Sequence, residues 1–338
     1  MKKPDASPKI DSPAELIEIA VGYQRSQTLF AFAELKIPDL LSKREMTTVE
    51  IAKRLKIHPL AMERFLNACA AIGLVRKNGE RFANSDLSEK FLTEKGENYL
   101  GGQMKRYQNR SYAQWEKLTE HLRNWKYGAS LEENPEAEDQ GAEAMEEQHN
   151  LALLHGRALG ENFDFAPYKR VLDVGGGTGA MSIALCRKFP HLRALVFDLP
   201  ENVEKAAEKV RAENLTERVE CVGGDILKDD LPDGFDVALV ANLLAVFDAE
   251  TNKSLFARIY EKLPAGGGAC LVSGWILDES RLSPGISVLF CLEDICWNAP
   301  DVERSFTTYR DWLREAGFTD IAVKTYFEPT KLISAFKK

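Results

Sequence analysis

From Arg170 onward the chain alternates short apolar runs with helical stretches, and this alternation constrains the fold more than any other feature. Strand–helix alternation is typical of a doubly wound, mostly parallel sheet in an α/β protein. Helices are predicted over Met181–Phe189, Glu201–Glu213 and Thr251–Leu263. A short Glu328-Pro329 turn joins the last two runs, so we expect an antiparallel hairpin at one edge. The predicted strands cover residues 171–174, 194–197, 219–222, 237–240, 269–272, 321–323 and 332–336.

A glycine-rich turn follows the first predicted strand, with the sequence VLDVGGGTG over residues 171–179. Glycines between a strand and a helix let a ligand approach the backbone and the helix N-terminus. Nicotinamide enzymes use such a turn as well. Asp173 favours a different ligand, because a nicotinamide fingerprint places an apolar residue two positions before the first glycine.

Two further acids close the next two strands. Asp198 ends the second strand and is placed for the hydroxyls of a ribose, and Asp225 ends the third, where it can accept a hydrogen bond from an adenine amine. The carboxyl ends of parallel strands lie at one edge of a sheet. Each acid alone could be a helix cap or a turn residue, but the three together predict a nucleoside-binding crevice.

The N-terminal third has a different pattern. Thr47 and Glu50 form a capping box that opens a short helix, a second helix is predicted over Leu60–Ile72, and Asn78-Gly79 predicts a β-hairpin. Helix, turn, helix and hairpin together indicate a winged helix. Its second helix is mostly apolar, with one arginine (Arg64), so we expect it to be buried on more than one side. Dimerisation or domain packing is therefore favoured over DNA binding.

These patterns predict four segments: a leader over 1–13, a winged-helix domain for dimerisation or packing over 14–105, linker helices over 106–165, and an α/β domain over 166–338. The linker includes a helix from Asn134-Pro135 to about Asn162. Pro at the first helical position and acids in the first turn favour its start there.

Charge and hydropathy exclude several classes. The 338 residues contain 52 acidic and 44 basic side chains, for a net charge of −8, which disfavours nucleic-acid and anionic-membrane partners. The segment Glu132–Glu147 contains acids but no Lys or Arg, so the charge is local. No apolar run approaches the roughly 20 residues of a membrane helix. With no secretory signal and no Cys-x-x-Cys pair, we expect a cytoplasmic protein with reduced thiols.

With these motifs, the chain resembles the class I S-adenosylmethionine-dependent methyltransferases, specifically the small-molecule O-methyltransferases with an N-terminal winged-helix dimerisation domain. The resemblance rests on the segments LDVGGGTG, FDLP, GGDI, LPAGG and ERS. It implies a Rossmann-like sheet of seven strands, a homodimer formed through the N-terminal domains, no metal, and conversion of S-adenosylmethionine to S-adenosylhomocysteine. The cofactor-binding residues that it implies are Asp173, Gly175, Gly177, Asp198, Leu199, Asp225, Ile226 and Asn242.

The sequence departs from this family at two catalytic positions. The family's histidine base falls on Ala245, and one of its two supporting glutamates falls on Gly274. The second glutamate is retained as Glu303. We therefore expect Glu303 to be catalytic. His149 is a candidate replacement for the histidine, since the resemblance implies that its helix and the other helices of the 106–165 linker cover the substrate, and that the domain over 166–338 is the catalytic one. The predicted substrate-binding residues are Met145, Cys291, Trp297 and Asn298.

The missing histidine leaves several reactions open. Ionising a phenol of pKa near 10 at neutral pH costs roughly 4 kcal/mol, whereas a thiol costs about 2 kcal/mol, and alignment alone promotes methyl transfer. We therefore predict methyl transfer to a small aromatic or polycyclic metabolite, at oxygen, carbon, nitrogen or sulfur. Two alternatives stay open: an enzyme that binds the cofactor but catalyses hydroxylation, decarboxylation or cyclisation, and a cofactor-sensing DNA-binding regulator.

Overall fold

The computed structural model describes residues 10–96, 98–125, 141–297 and 304–338, and only the helical backbone over 141–145. The predicted start of the covering helix, most of the acidic segment, Asn298 and Glu303 lie outside the described residues, as does the side chain of Met145. The chain forms two compact units, Met1–Ala113 and Gln114–Lys338. The predicted four-part division is finer than this split and stays a prediction.

The N-terminal unit is a helical domain with a small antiparallel sheet in the order β1-β3-β2. Its core contains Phe32, Ile51, Leu66 and Phe82, all at most 1% exposed. A π-helical turn at Tyr107–Ser111 continues its last helix. The elements are α1 (Pro13–Ala20), α2 (Tyr23–Glu34), α3 (Ile37–Leu41), β1 (Met46–Thr47), α4 (Thr48–Leu55), α5 (Pro59–Ala71), β2 (Val75–Asn78), β3 (Arg81–Asn84), α6 (Asp86–Phe91) and α7 (Gly101–Arg106).

The predicted capping box and hairpin are present. The Thr47 hydroxyl accepts a hydrogen bond from the Glu50 amide, and the Glu50 carboxylate accepts one from the Thr47 amide. In the hairpin, Asn78 is still a strand residue, since it pairs with Arg81. The two-residue turn is therefore shifted by one position, with Gly79 first at φ 59°, a conformation that glycine adopts without strain.

The expectation that α5 is buried on more than one side is not met within the single chain. Met62, Leu66 and Cys69 lie on its one buried side, and Leu60 is 51% exposed. The first helix, α1, has no buried residue at all. Apolar surface is therefore left uncovered on the N-terminal unit.

The C-terminal unit is built on a seven-stranded sheet in the order β6-β5-β4-β7-β8-β10-β9. The pairs among β4 to β8 are parallel, and β10 pairs antiparallel with both β8 and β9. This confirms the predicted α/β sheet with an edge hairpin. The strands are β4 (Arg170–Val174), β5 (Arg193–Asp198), β6 (Val219–Gly223), β7 (Val237–Ala241), β8 (Gly268–Gly274), β9 (Thr319–Phe327) and β10 (Thr330–Lys337).

Helices cover both faces of this sheet. Successive strand residues point to opposite faces, so Val171 packs into one core and Leu172 into the other. The first core includes side chains of α10 and α11, and the second includes those of α13 and α15. The helices of this unit are α8 (Tyr112–Glu116), α9 (Leu118–Asn124), α10 (Gly141–Asn162), α11 (Ala180–Lys188), α12 (Pro200–Ala212), α13 (Ala249–Lys262), α14 (Gly285–Cys296) and α15 (Phe306–Glu315).

The topology reverses direction at β4, since β5 and β6 lie on one side of it and β7 and β8 on the other. In open α/β sheets, ligands bind beyond the carboxyl ends of the strands at such a switch point. Over the described residues, no helix combines the length and apolarity needed to cross a membrane.

Candidate active site

The glycine-rich turn connects the end of β4 to the start of α11. Gly175, Gly177 and Gly179 have φ values of 66°, 55° and 71°, in the region that favours glycine. At Gly176 the constraint is space, because an added Cβ would lie 2.8 Å from Cγ of Asp173. The turn therefore leaves backbone, rather than side chains, beside the N-terminus of α11.

Asp198 joins the end of β5 to this turn. One carboxylate oxygen accepts a hydrogen bond from the Gly177 amide at 2.7 Å. The other accepts from the Leu199 amide and from Asn202 Nδ2, each at 2.7 Å. A carboxylate has about four acceptor sites, so three are filled and one remains open. The predicted ribose contact stays a prediction, and the sequence reasoning missed Asn202.

Asp173 lies under the turn, in the protein interior. It is 2% exposed, and its carboxylate accepts a hydrogen bond from the Ser182 hydroxyl at 2.7 Å. Burial raises the pKa of Asp173 to about 6, and the Ser182 hydrogen bond opposes that rise. Asp173 therefore stabilises the glycine-rich turn and the N-terminal end of α11.

Asp225 follows β6 and organises the loop beyond it. Its carboxylate accepts a hydrogen bond from the Leu227 amide at 2.9 Å and pairs with Lys228 at 2.8 Å. The hydrogen bond from Lys228 lowers the pKa of Asp225. The Arg258 guanidinium donates to the carbonyl of Ile226 at 2.5 Å, which fixes the residue predicted to contact adenine.

The ends of β7 and β8 form the other half of this edge. Asn242 follows β7 with φ 52°, and its amide donates to the Ser273 carbonyl at 2.9 Å. Ala245 lies half-buried in a short 3₁₀-helix, Leu244–Val246, and Gly274 is the last residue of β8. A Cβ at Gly274 would meet only Asn242 Oδ1, at 3.7 Å. Side-chain bulk is therefore small at both positions.

His149 lies on α10 and contacts the glycine-rich turn. Its Nδ1 is 2.7 Å from the Thr178 hydroxyl, and the residue is 8% exposed. Burial lowers the pKa of His149 to about 4, and the positive charge of Lys209 contributes to this shift. The imidazole is therefore neutral at physiological pH and a weak proton acceptor. The contact with Thr178 was not foreseen from the sequence.

Two predicted substrate residues, Cys291 and Trp297, are half-buried in and just after α14. Trp297 Nε1 donates to a carboxylate oxygen of Glu293 over 3.4 Å. Glu293 is only 8% exposed and was missed by the sequence reasoning. A lone acid pair in the apolar stretch ISVLFCLEDIC was the signal that could have found it.

Next to it, Asp294 forms an ion pair of 2.5 Å with Arg304, which is itself buried. No group of three or more His, Cys, Asp or Glu side chains suited to a metal ion occurs within the described ranges.

Comparison with known proteins agrees with this geometry. Residues 112–319 match the O-methyltransferase domain family, and residues 17–94 match the O-methyltransferase dimerisation domain. A 3-hydroxy-5-methyl-1-naphthoate 3-O-methyltransferase of Streptomyces sahachiroi is 29% identical over 330 residues, covering 95% of this chain and 94% of the relative. An N,N-dimethyltransferase of Streptomyces rimosus is 30% identical, covering 90% of each chain.

Among solved structures, human N-acetylserotonin methyltransferase in complex with S-adenosylmethionine superimposes with a TM-score of 0.84 at 27% identity. The match covers 98% of this chain and 99% of the human chain. Together with the glycine-rich turn, the acid that ends β5 and the acid that follows β6, these matches show that the chain belongs to the family of S-adenosylmethionine-dependent O-methyltransferases.

Proposed function

We propose that this enzyme transfers the methyl group of S-adenosylmethionine to a small aromatic or polycyclic metabolite. The names of its relatives support this substrate class, since they include a naphthoate O-methyltransferase and a tetracenomycin polyketide 8-O-methyltransferase. The observation that carries the proposal is Asp198, whose carboxylate is fixed by three donors and retains one acceptor site at the end of β5.

The cofactor fits the residues at this edge. Asp198 and Leu199 would hold its ribose, Asp225 and Ile226 its adenine, and the turn at Gly175 and Gly177 its methionine end. Asn242 and, through the turn, Asp173 complete the proposed set. When bound, the cofactor supplies an electrophilic methyl group on a sulfonium sulfur.

The site lacks a strong general base at the position of His149. His149 is a poor general base, because a pKa of about 4 lies about six units below that of a phenol, a gap worth roughly 8 kcal/mol. Its bond to Thr178 supports a positioning role for the glycine-rich turn. Alignment of nucleophile, methyl group and sulfur is then the main source of rate. The predicted catalytic role of Glu303 and the substrate contacts of Met145 and Asn298 stay predictions.

A second candidate function follows from Ala245 and Gly274. An enzyme without the family's imidazole and one of its glutamates can bind the cofactor and still catalyse hydroxylation, decarboxylation or cyclisation instead of methyl transfer. The two candidates share the cofactor half of the site, so cofactor binding does not distinguish them.

The distinguishing experiment follows the methyl group. The protein is incubated with methyl-labelled S-adenosylmethionine and a panel of hydroxylated naphthalenes and polycyclic aromatics, and products are separated by chromatography. We expect label in one or more aromatic products and stoichiometric S-adenosylhomocysteine. Turnover of a panel member to an unlabelled product would favour the second candidate. No label and no turnover across the panel would contradict the proposed substrate class.

We also propose that the enzyme acts as a homodimer. The matched dimerisation domain supports this, as does the uncovered apolar surface of α1, where Leu16, Ile17 and Ile19 are 59%, 61% and 63% exposed. Light scattering after gel filtration should give twice the mass of the 37.9 kDa chain. The double substitution Leu16→Lys and Ile19→Lys should shift it toward the monomer. A monomeric wild type would contradict the dimer. The cytoplasmic location stays a prediction.

A further inference from the structure

A continuous path of contacts leads from the cofactor half of the site to α14. An added Cβ at Gly175 would lie 2.7 Å from Leu243, the residue after Asn242. Asn242 in turn lies beside Gly274, whose neighbour Trp275 stacks on Phe290 of α14 with 3.6 Å between ring centroids and 17° between planes. The helix is thus held against the end of β8.

Glu293 lies one helical turn beyond Phe290, on the same side of α14. A second anchor fixes this part of the helix, because Asp294 pairs with Arg304, and the Arg304 carbonyl accepts from the Leu277 amide at 2.9 Å. Phe290 and Asp294, which flank Glu293 in the sequence, therefore both link α14 to the segment that continues β8.

The environment of Glu293 suits a proton acceptor. It is 8% exposed, its one described hydrogen-bond donor is Trp297, at 3.4 Å, and no Lys or Arg of the described residues forms an ion pair with it. A buried carboxylate without a cation is costly unless another donor completes it. A hydroxyl group of the substrate would supply that donor.

We propose that Glu293 receives the proton of the substrate hydroxyl during methyl transfer, in place of the imidazole absent at Ala245. This inference rests on the proposed function. A lone pair of the hydroxyl oxygen forms the bond to the methyl carbon, and the carbon–sulfur bond breaks with its electron pair passing to sulfur. The hydroxyl proton passes to the Glu293 carboxylate, giving a methyl ether, S-adenosylhomocysteine and a neutral Glu293 acid that returns its proton to water.

The neighbouring acid does not compete for this role. Burial raises the pKa of Asp294 to about 6, but its carboxylate is engaged by Arg304 at 2.5 Å. Cys291 is also unsuited, because burial raises the pKa of its thiol. Among the described acids of α14, Glu293 alone combines burial with freedom from a cation.

The test compares Glu293→Gln with the wild type on two probes, 3-hydroxy-1-naphthoate and its more acidic 4-nitro derivative, which is ionised at the assay pH. Glutamine keeps the shape and can still accept from Trp297. We expect kcat/KM to fall about 100-fold on the first probe and less than about threefold on the second, since only the first needs a proton acceptor. Glu293→Asp should restore part of the loss.

Two controls separate the possible failures. Glu261→Gln makes the same chemical change at an exposed position of α13 and should leave both rates unchanged. The affinity of Glu293→Gln for S-adenosylhomocysteine should match that of the wild type, which excludes misfolding. Equal rates for Glu293→Gln and wild type on both probes, or equal losses on both, would overturn the proton-acceptor role. If the wild type methylates neither probe nor any other member of the panel, the proposed function is refuted, and the inference with it.

Discussion

The two halves of the strand-end edge are built differently. At the ends of β4, β5 and β6, three acids are held by named donors: Ser182, the Gly177 amide and the Leu227 amide. Beyond β7 and at the end of β8, the two positions where the family resemblance places catalytic side chains carry only the methyl group of Ala245 and the hydrogen of Gly274. We call the edge at β4, β5 and β6 the cofactor half, and the edge at β7 and β8, where the methyl acceptor is proposed to bind, the acceptor half. The cofactor half depends largely on backbone amides and glycine conformations, whereas the acceptor half depends on side chains that can change without altering the fold. Reaction chemistry can therefore diverge while cofactor binding is retained.

The largest stability effect should come from crowding the cofactor half. A methyl group at Gly176 would lie 2.8 Å from Asp173 Cγ and 2.9 Å from Val196 Cγ1. Gly176→Ala should therefore cost about 3 kcal/mol and lower the melting temperature by roughly 6–12 °C. Gly274→Ala is the matched change in the acceptor half, where the nearest atom is 3.7 Å away, and it should shift the melting temperature by no more than about 2 °C. Similar shifts in the two variants would remove the contrast between the halves.

Lowering the pH should reveal the effect of the buried His149 on the free energy of unfolding. Its pKa falls from 6.5 to about 4 on folding, so the histidine is neutral in both states above pH 7 and imposes no cost there. As pH falls below 6.5 the unfolded chain takes up the proton first, and the wild type loses roughly 2–3 kcal/mol by pH 4.5. His149→Gln should lack this loss, while His155, whose pKa is also lowered to about 4 by burial, affects both proteins equally.

The check is urea unfolding of both proteins at pH 7.5 and 4.5. The difference in unfolding free energy between them should change by roughly 2–3 kcal/mol in favour of the variant at the lower pH. Parallel losses would show that His149 is not buried as described.

A smaller effect is expected at Asn202, which supplies one of three donors to Asp198. Asn202→Ala should weaken S-adenosylhomocysteine binding about fivefold, since one hydrogen bond to a fixed carboxylate is worth about 1 kcal/mol. Isothermal titration calorimetry gives the affinity. Asp230→Ala, at an exposed acid beyond β6, is the control and should bind as the wild type does. An unchanged affinity in Asn202→Ala would mean that the two backbone donors hold Asp198 unaided.

Much of the fold was predictable from the sequence because it follows from local patterns. The apolar runs located all seven strands of the large sheet to within a few residues. Asp198 ends β5 as predicted, whereas Asp225 lies two residues beyond β6. The capping box at Thr47 was equally clear, since it depends on two side chains three residues apart. The hairpin turn at Gly79 was off by one position, because Asn78 satisfies the ladder of β2 and β3 as well as it would a turn.

Contacts between distant segments were not predictable. The bond between His149 and Thr178 joins residues 29 positions apart, and its geometry depends on how α10 packs against α11. The position of α14, which carries the buried Glu293, depends in the same way on distant contacts such as the stacking of Trp275 with Phe290. A single sequence indicates which residue types are present but not which of them the packing brings together.

The most direct test of the division into two halves is the affinity for S-adenosylhomocysteine of Asp198→Ala and Glu293→Gln, measured in parallel by calorimetry. Asp198→Ala leaves the Gly177 and Leu199 amides without their acceptor, so we predict that its affinity falls at least about 100-fold. Glu293→Gln should bind S-adenosylhomocysteine within about twofold of the wild-type affinity, because the proposed role of Glu293 is to accept the proton of the substrate and not to bind the cofactor. Equal weakening in both variants, or unchanged binding in Asp198→Ala, would contradict the account.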